Sequence, residues 1–146
     1  MGMTSAQITE LRRIAERMRN VLESANSPRL ANFPREKCNI ACRLLARYVL
    51  EHTKIGPCAE VYGKRPDGKV GGHVWLQIGD VILDITADQF GQQPVIVARE
   101  SAWHESLRKA ESDDTLCDFG WRNRIIEADG DEAIYSYVVS EMTRIQ

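Results

Sequence analysis

The chain has little of what would announce a function outright. It has no apolar run near the roughly 18 residues a membrane helix needs, and no basic-then-apolar leader. It therefore reads as cytoplasmic, or as an effector delivered without a signal peptide, with no membrane partner. It has no surplus charge: 19 basic against 21 acidic residues give a formal net charge of -2, which leaves no electrostatic footprint for nucleic acid or an anionic lipid surface. Repeats, low-complexity tracts and linker-like stretches are lacking as well. There are four cysteines, Cys38, Cys42, Cys58 and Cys117, and they show neither paired zinc spacing nor the density of a disulfide framework. They read as reduced thiols, most of them core residues, and neither a metal nor a cofactor is expected. Met1-Gly2 lacks the rest of a myristoylation signal, because the sixth residue is Ala6 rather than Ser or Thr.

What is there suffices for one domain over 1–146: 43% apolar and 27% charged residues are an ordinary globular balance. Ile8, Leu11, Ile14, Met18 and Leu22 recur at helical spacing and predict a first helix from about Ser5 to about Ala25, with Arg12, Arg13, Arg17 and Arg19 mostly on its wet side. A second helix is expected from about Glu36 to His52. Cys38, Ala41, Cys42, Leu45 and Val49 share its inward face, with Cys38 at the amino-terminal end, where free N–H groups and the helix dipole favour a thiolate.

From Ala59 the period changes to two. Strands are expected at Ala59–Lys64, Gly72–Ile78, Val81–Ile85 and Val95–Ala98, with Pro66-Asp67-Gly68 turning the first into the second. Gly79-Asp80 suits a type II′ hairpin with Ile78 opposite Val81. That register puts His73, Trp75, Gln77, Ile82, Asp84 and Thr86 on one side of the ribbon, and Val74, Leu76, Ile78, Val81, Leu83 and Ile85 on the other. The aliphatic side must be core, so the histidine side is expected to face the second helix or a cleft. His73 and Asp84 become diagonal neighbours close enough for their side chains to meet. Ser101–Glu111 reads as helix or loop, Asp113–Asp131 as an acidic irregular region, and Glu132–Ile145 as a last packing helix.

A thiol needs a base to become a thiolate, and the base needs a carboxylate to fix its tautomer; Cys38, His73 and Asp84 supply all three parts. Taken singly, each has a plainer explanation: a buried core cysteine, a hydrogen-bonded half-buried histidine, a ladder carboxylate. Convergence of the three is what points to chemistry. His52 at a helix end is explained by the dipole, and His104 has no strand partner that the sequence identifies. Trp75 and Trp103 are candidates to wall a substrate groove.

Phe33-Pro34, Cys38, Leu44-Leu45-Ala46-Arg47, His73-Val74-Trp75-Leu76 and Asp84-Ile85-Thr86-Ala87-Asp88-Gln89-Phe90 together resemble the transglutaminase-like branch of the papain-like cysteine proteases, bacterial members included. The resemblance spans about residues 33 to 90 and implies an α+β fold in which the nucleophile helix packs on a small antiparallel sheet. It also implies a Cys38/His73/Asp84 triad and thioester chemistry on amide bonds of a protein or peptide substrate, with peptidase, glutamine deamidase or transglutaminase outcomes. Relatives often have glycine two residues before the cysteine, where this chain has Glu36; a bulky acid there is expected to narrow the cleft and to raise the thiol pKa. Asn32, six residues before Cys38, stands where papain-like enzymes place an oxyanion glutamine, although an asparagine there also suits a helix cap. Two other readings stay open. One is a catalytically silent binding module that grips a basic partner with the acidic stretch Glu111–Asp118. The other is a redox or metal role for Cys38 and Cys42 with His73, against which cysteines four apart on one helix lack common zinc spacing.

Overall fold

Thr4 begins the fold. Its hydroxyl accepts the Gln7 N–H at 3.1 Å while Gln7 Oε1 accepts the Thr4 N–H at 2.9 Å, a reciprocal cap that starts α1 at Ser5 and lets it run to Ser24. The computed structural model describes residues 2–67, 69, 71–117 and 130–144. After a 3-10 turn at Pro28–Leu30 comes α2, Cys38–His52, followed by strands β1 (Cys58–Lys64), β2 (Gly72–Ile78), β3 (Val81–Asp84) and β4 (Ile96–Ala98). Then follow α3 (Ala102–Ala110), β5 (Ser112–Cys117) and α4 (Glu132–Arg144). The five strands form one antiparallel sheet in the order β4-β3-β2-β1-β5, so the architecture is α+β.

The central hairpin has the expected register: Ile78 stands opposite Val81, Gln77 opposite Ile82 and Leu76 opposite Leu83. Gly79 takes φ 59°, the left-handed first corner that a type II′ loop requires. The aliphatic side of the ribbon, Val74, Leu76, Ile78, Val81, Leu83 and Ile85, lies in the main core with Leu11, Met18 and Leu22 of α1, Leu45 and Val49 of α2, and Val138 and Met142 of α4.

On the opposite side the expectation holds in part: His73 borders a cleft, but the body of the second helix lies elsewhere. The second helix does not face the histidines; it packs on the aliphatic side, where the Cys42 thiol reaches the Val74 carbonyl at 3.5 Å. An apolar helix stripe belongs on an apolar sheet face. The polar face instead lies beneath α3, where Leu107 joins Val61, Trp75 and Ile82 in a small second core. Gly63 makes that approach possible, since a Cβ there would stand 2.8 Å from both Leu107 Cβ and the Trp75 ring.

Three further expectations need correction. The second helix begins at Cys38 rather than Glu36. Part of the supposed irregular region is β5, paired along β1 from Cys58–Cys117 to Gly63–Ser112; its charged sequence hides a strand because its side chains from Ser112 to Leu116 are exposed. The rest of that region over 118–129, like Gly68 of the expected turn and residue 145 of the last helix, lies outside the described residues. Arg19 is not a wet-face residue. It is 6% exposed, and its guanidinium grips Asp88 through Nη1–Oδ1 at 2.6 Å and Nη2–Oδ2 at 2.7 Å, donates to the Ile85 carbonyl at 2.9 Å, and lies 5.0 Å over the Phe33 ring. The fork pays for burial of the cation by giving it a carboxylate and a carbonyl at once.

Replacing Arg19 by methionine should cost about 2 kcal/mol, because the buried Ile85 carbonyl loses its donor while the Asp88 side chain, 27% exposed, keeps part of its hydration. Urea unfolding reads the loss directly. A change within about 0.5 kcal/mol, the range for a solvated surface residue, would show that the contact carries no stability.

Candidate active site

β3 ends at Asp84, and the β2–β3 ladder ends at the Leu76–Leu83 pair, so the first residues of β2 extend past their neighbour. His73 sits on that overhang with its side chain on the α3 side. Its Nε2 lies 2.7 Å from Asp84 Oδ2, and both side chains are buried, at 0% and 1% exposure. The diagonal pairing expected from the hairpin is thus present.

Cys38 is half-buried at the first position of α2. Its thiol comes close enough to the His73 ring to favour the protonated imidazole. Among the described residues His73 Nδ1 is a buried nitrogen with no hydrogen bond of ordinary geometry. Catalytic contacts are often loose without substrate and tighten in the complex. The helix head is uncapped by side chains: Lys37, its N-cap, makes no such bond. The first-turn N–H groups and the dipole are therefore free to act on an anion at Cys38.

The electrostatics follow from burial and partners. Removal from water pulls the His73 pKa down, and the Asp84 hydrogen bond with the Cys38 contact outweighs it, leaving the ring pushed up to about 9. Burial pushes Asp84 up, and the hydrogen bonds from His104 and then His73 overcome this, holding the carboxyl well below the ordinary carboxylate range. The Thr86 N–H adds a donor to Oδ1 at 2.9 Å.

His104 is the residue the sequence missed. From α3 its Nε2 reaches the same Asp84 Oδ2 at 2.7 Å, and it is 1% exposed. The signal was its place three residues before Leu107, the two inward positions of α3, behind the Ser101 cap. His52 stays apart at the end of α2, with Nδ1 3.2 Å from the Tyr48 carbonyl and its ring stacked on Tyr48.

Of the residues expected at the oxyanion and substrate groove, Trp75 is placed otherwise, and Asn32 keeps a place on a cleft but is not the helix cap. Trp75 has no exposed surface and walls nothing; its ring fills the small core under α3. Asn32 is exposed, takes φ 66°, and lines a cleft of about 510 Å³ with Phe33, Pro34, Arg35, Asp88 and Gln89; it does not cap α2. The aromatic walls near His73 are Phe90 and Trp103, which border a cleft of about 340 Å³ with Arg65, Gln89 and His73 itself. Gln89 forms a wall of both clefts. Its Oε1 accepts the Glu36 N–H at 3.1 Å and its Nε2 donates to the Thr86 carbonyl at 3.1 Å, which ties the turn before Cys38 to the segment after Asp84.

Among the described residues, His73, Asp84 and His104 are the group that could hold a metal, with ligand atoms within 4.8 Å of one another. The 2.7 Å separations from each Nε2 to Oδ2 are hydrogen-bond lengths, shorter than the edges of roughly 3.3 Å that bonds of about 2.0–2.1 Å require around a tetrahedral ion. A cation could enter only by displacing both ring protons. Cys42 is no better suited: its thiol lies on the other sheet face, and burial pushes its pKa well up, away from the thiolate a metal needs.

Comparison with protein-family models, with curated proteins and with solved structures finds no match.

The raised His73 pKa fixes a pH dependence of stability. A proton held more tightly in the folded state stabilises it fully below the unfolded value of about 6.5, and the gain is lost as pH rises through about 9. The wild type should therefore lose about 3 kcal/mol more than His73→Gln between these limits, measured by urea unfolding at a series of pH values. Parallel profiles for the two proteins would remove the charged pair.

Proposed function

We propose that this chain is a cysteine-dependent amide hydrolase or acyltransferase of transglutaminase-like type, acting on a protein or peptide substrate through Cys38, His73 and Asp84. The observation that carries the reading is His73 itself: a fully buried imidazole with one nitrogen on an ionised carboxylate and the other unpartnered beside the only half-buried cysteine. Most buried histidines have both nitrogens satisfied. One left free next to a thiol at a helix head is arranged for proton transfer.

In the proposed reaction the Cys38 proton passes to His73 Nδ1, where the raised affinity of the ring retains it as a thiolate–imidazolium pair before substrate binds, and Asp84 holds the ring through Nε2–H. The thiolate attacks a carboxamide or peptide carbonyl presented from the Phe90–Trp103 cleft. Charge on the carbonyl oxygen is met by the uncapped N–H groups of the first turn of α2, beginning with that of Cys38. The imidazolium returns its proton to the departing ammonia or amine, leaving a thioester on Cys38. Water or an acceptor amine, deprotonated by His73, then resolves the thioester to acid or to a new amide. Peptidase, glutamine deamidase and crosslinking outcomes differ only in the leaving and accepting groups.

Iodoacetamide should alkylate Cys38 ahead of Cys42, Cys58 and Cys117, and His73→Ala should slow the Cys38 reaction at neutral pH by about tenfold or more. Incubation with glutamine-bearing proteins should produce amide-to-acid mass gains, crosslinks or cleavages that Cys38→Ala abolishes. Slow labelling of every cysteine, with no product of any of the three kinds, would instead favour a catalytically silent binding module.

A further inference from the structure

We propose that His104 is a positioning residue that acts on the reaction through Asp84, with Ser101 setting its tautomer, so that the functional unit is Cys38–His73–Asp84–His104–Ser101 rather than a triad. This rests on the thiol-enzyme reading of the site and extends it.

The hydrogen positions follow from elementary accounting. Asp84 Oδ2 is 2.7 Å from Nε2 of His73 and 2.7 Å from Nε2 of His104. An ionised carboxylate only accepts, so both rings present N–H there. That leaves His104 Nδ1 as a lone pair in the neutral ring, and Ser101 Oγ lies 2.6 Å from it. The same Ser101 oxygen accepts the His104 backbone N–H at 3.3 Å, so its single hydrogen is available to donate to Nδ1. In the Nε2–H tautomer every donor and acceptor of the neutral ring is then used.

Why a second ring is needed follows from burial. Asp84 is 1% exposed, and on His73's side it has a single hydrogen bond to offset the loss of water. The Thr86 N–H holds Oδ1 at 2.9 Å, and His104 supplies the remaining strong donor. Other titratable groups facing this cluster are Cys38, beside His73, and Cys42, which senses Asp84 from the far side of the sheet. Neither donates to the carboxylate. With its plane pinned from two directions, Asp84 can hold the His73 ring in one orientation, Nδ1 outward to the sulfur, and can do so as an anion. His104 never needs to touch substrate; it determines where the base points.

The test uses the Cys38 alkylation rate at neutral pH together with imidazole nitrogen NMR. In the wild-type protein the His104 ring should show the Nε2–H tautomer, a signature that mere packing does not require. His104→Ala should lower the Cys38 rate by about tenfold, the scale at which partners of a reacting group's partner act. His104→Gln, whose amide N–H can still reach Oδ2, should restore it to within about threefold of wild type, and this variant also serves if the alanine protein fails to fold. A His104→Gln protein that is folded yet as slow as His73→Ala, an Nδ1–H tautomer in the wild type, or an unchanged rate in folded His104→Ala would each overturn the proposal. His73→Ala separates the two levels of argument. If it leaves the Cys38 rate unchanged, the thiol-enzyme reading fails; if it slows Cys38 while His104→Ala does not, only the role of His104 fails.

Discussion

An ionised carboxylate with almost no access to water is tolerable only where donors replace the lost hydration, and Asp84 is surrounded by them. Much else in the structure follows from that requirement. β3 must stop where Thr86 can turn its N–H back onto Oδ1; β2 must overrun it so that His73 stands diagonal; α3 must come down on the sheet with a histidine rather than an aliphatic residue at its first inward position. Gly63 yields the space for that descent. The sheet is thus two-faced for a chemical reason: one side is closed by apolar helices, the other by a helix that carries a donor.

The second requirement is that the head of α2 be held against this polar face although the helix body packs on the opposite one. Arg19 and Gln89 accomplish it from two sides. Arg19 joins Phe33, five residues before the cysteine, to Asp88 and the Ile85 carbonyl, just past Asp84. Gln89 joins the Glu36 N–H to the Thr86 carbonyl. The two segments are far apart in sequence, yet each contact spans the same junction. Removing either would leave the thiol and the imidazole on elements with independent freedom.

How much of this was legible beforehand depends on whether the determinant was local. The hairpin was legible because a two-residue loop with glycine first fixes register by counting, and register fixes which side chains share a face. That argument delivered His73 and Asp84 together. The stripe of α2 was legible for the same reason, and so was the position of Cys38 within a residue or two of a helix start. Which layer covered which sheet face was not, because both helices carry amphipathic patterns and nothing local says which face each will choose. Arg19 looked like one more arginine on a wet helix side; only Asp88, distant in sequence, makes it a core residue. His104 was lost similarly, its partner lying 20 positions away. Trp75 was misjudged because an aromatic beside a histidine looks like a groove wall, whereas alternation on a covered strand buries it.

Glu36 brings these strands together. The proposed transglutaminase-like reading sets an expectation of glycine two residues before the cysteine, for close approach of substrate. The backbone here supplies another reason: Glu36 takes φ 59°, in the left-handed region that glycine enters freely and other residues enter at a cost of roughly 1–2 kcal/mol. The chain must reverse at this point, through the Asn32–Arg35 and Pro34–Lys37 turns, to present Cys38 as the first residue of α2. What holds an L residue in that conformation is the Gln89 side chain on its N–H. The Glu36 side chain is exposed and lines a cleft with Arg29, Lys37 and Arg43. The demand at this position is therefore conformational before it is steric. A chain that meets it with glutamate keeps the turn, keeps the N–H anchor, and stores strain next to the sulfur, where strained backbone tends to accompany function.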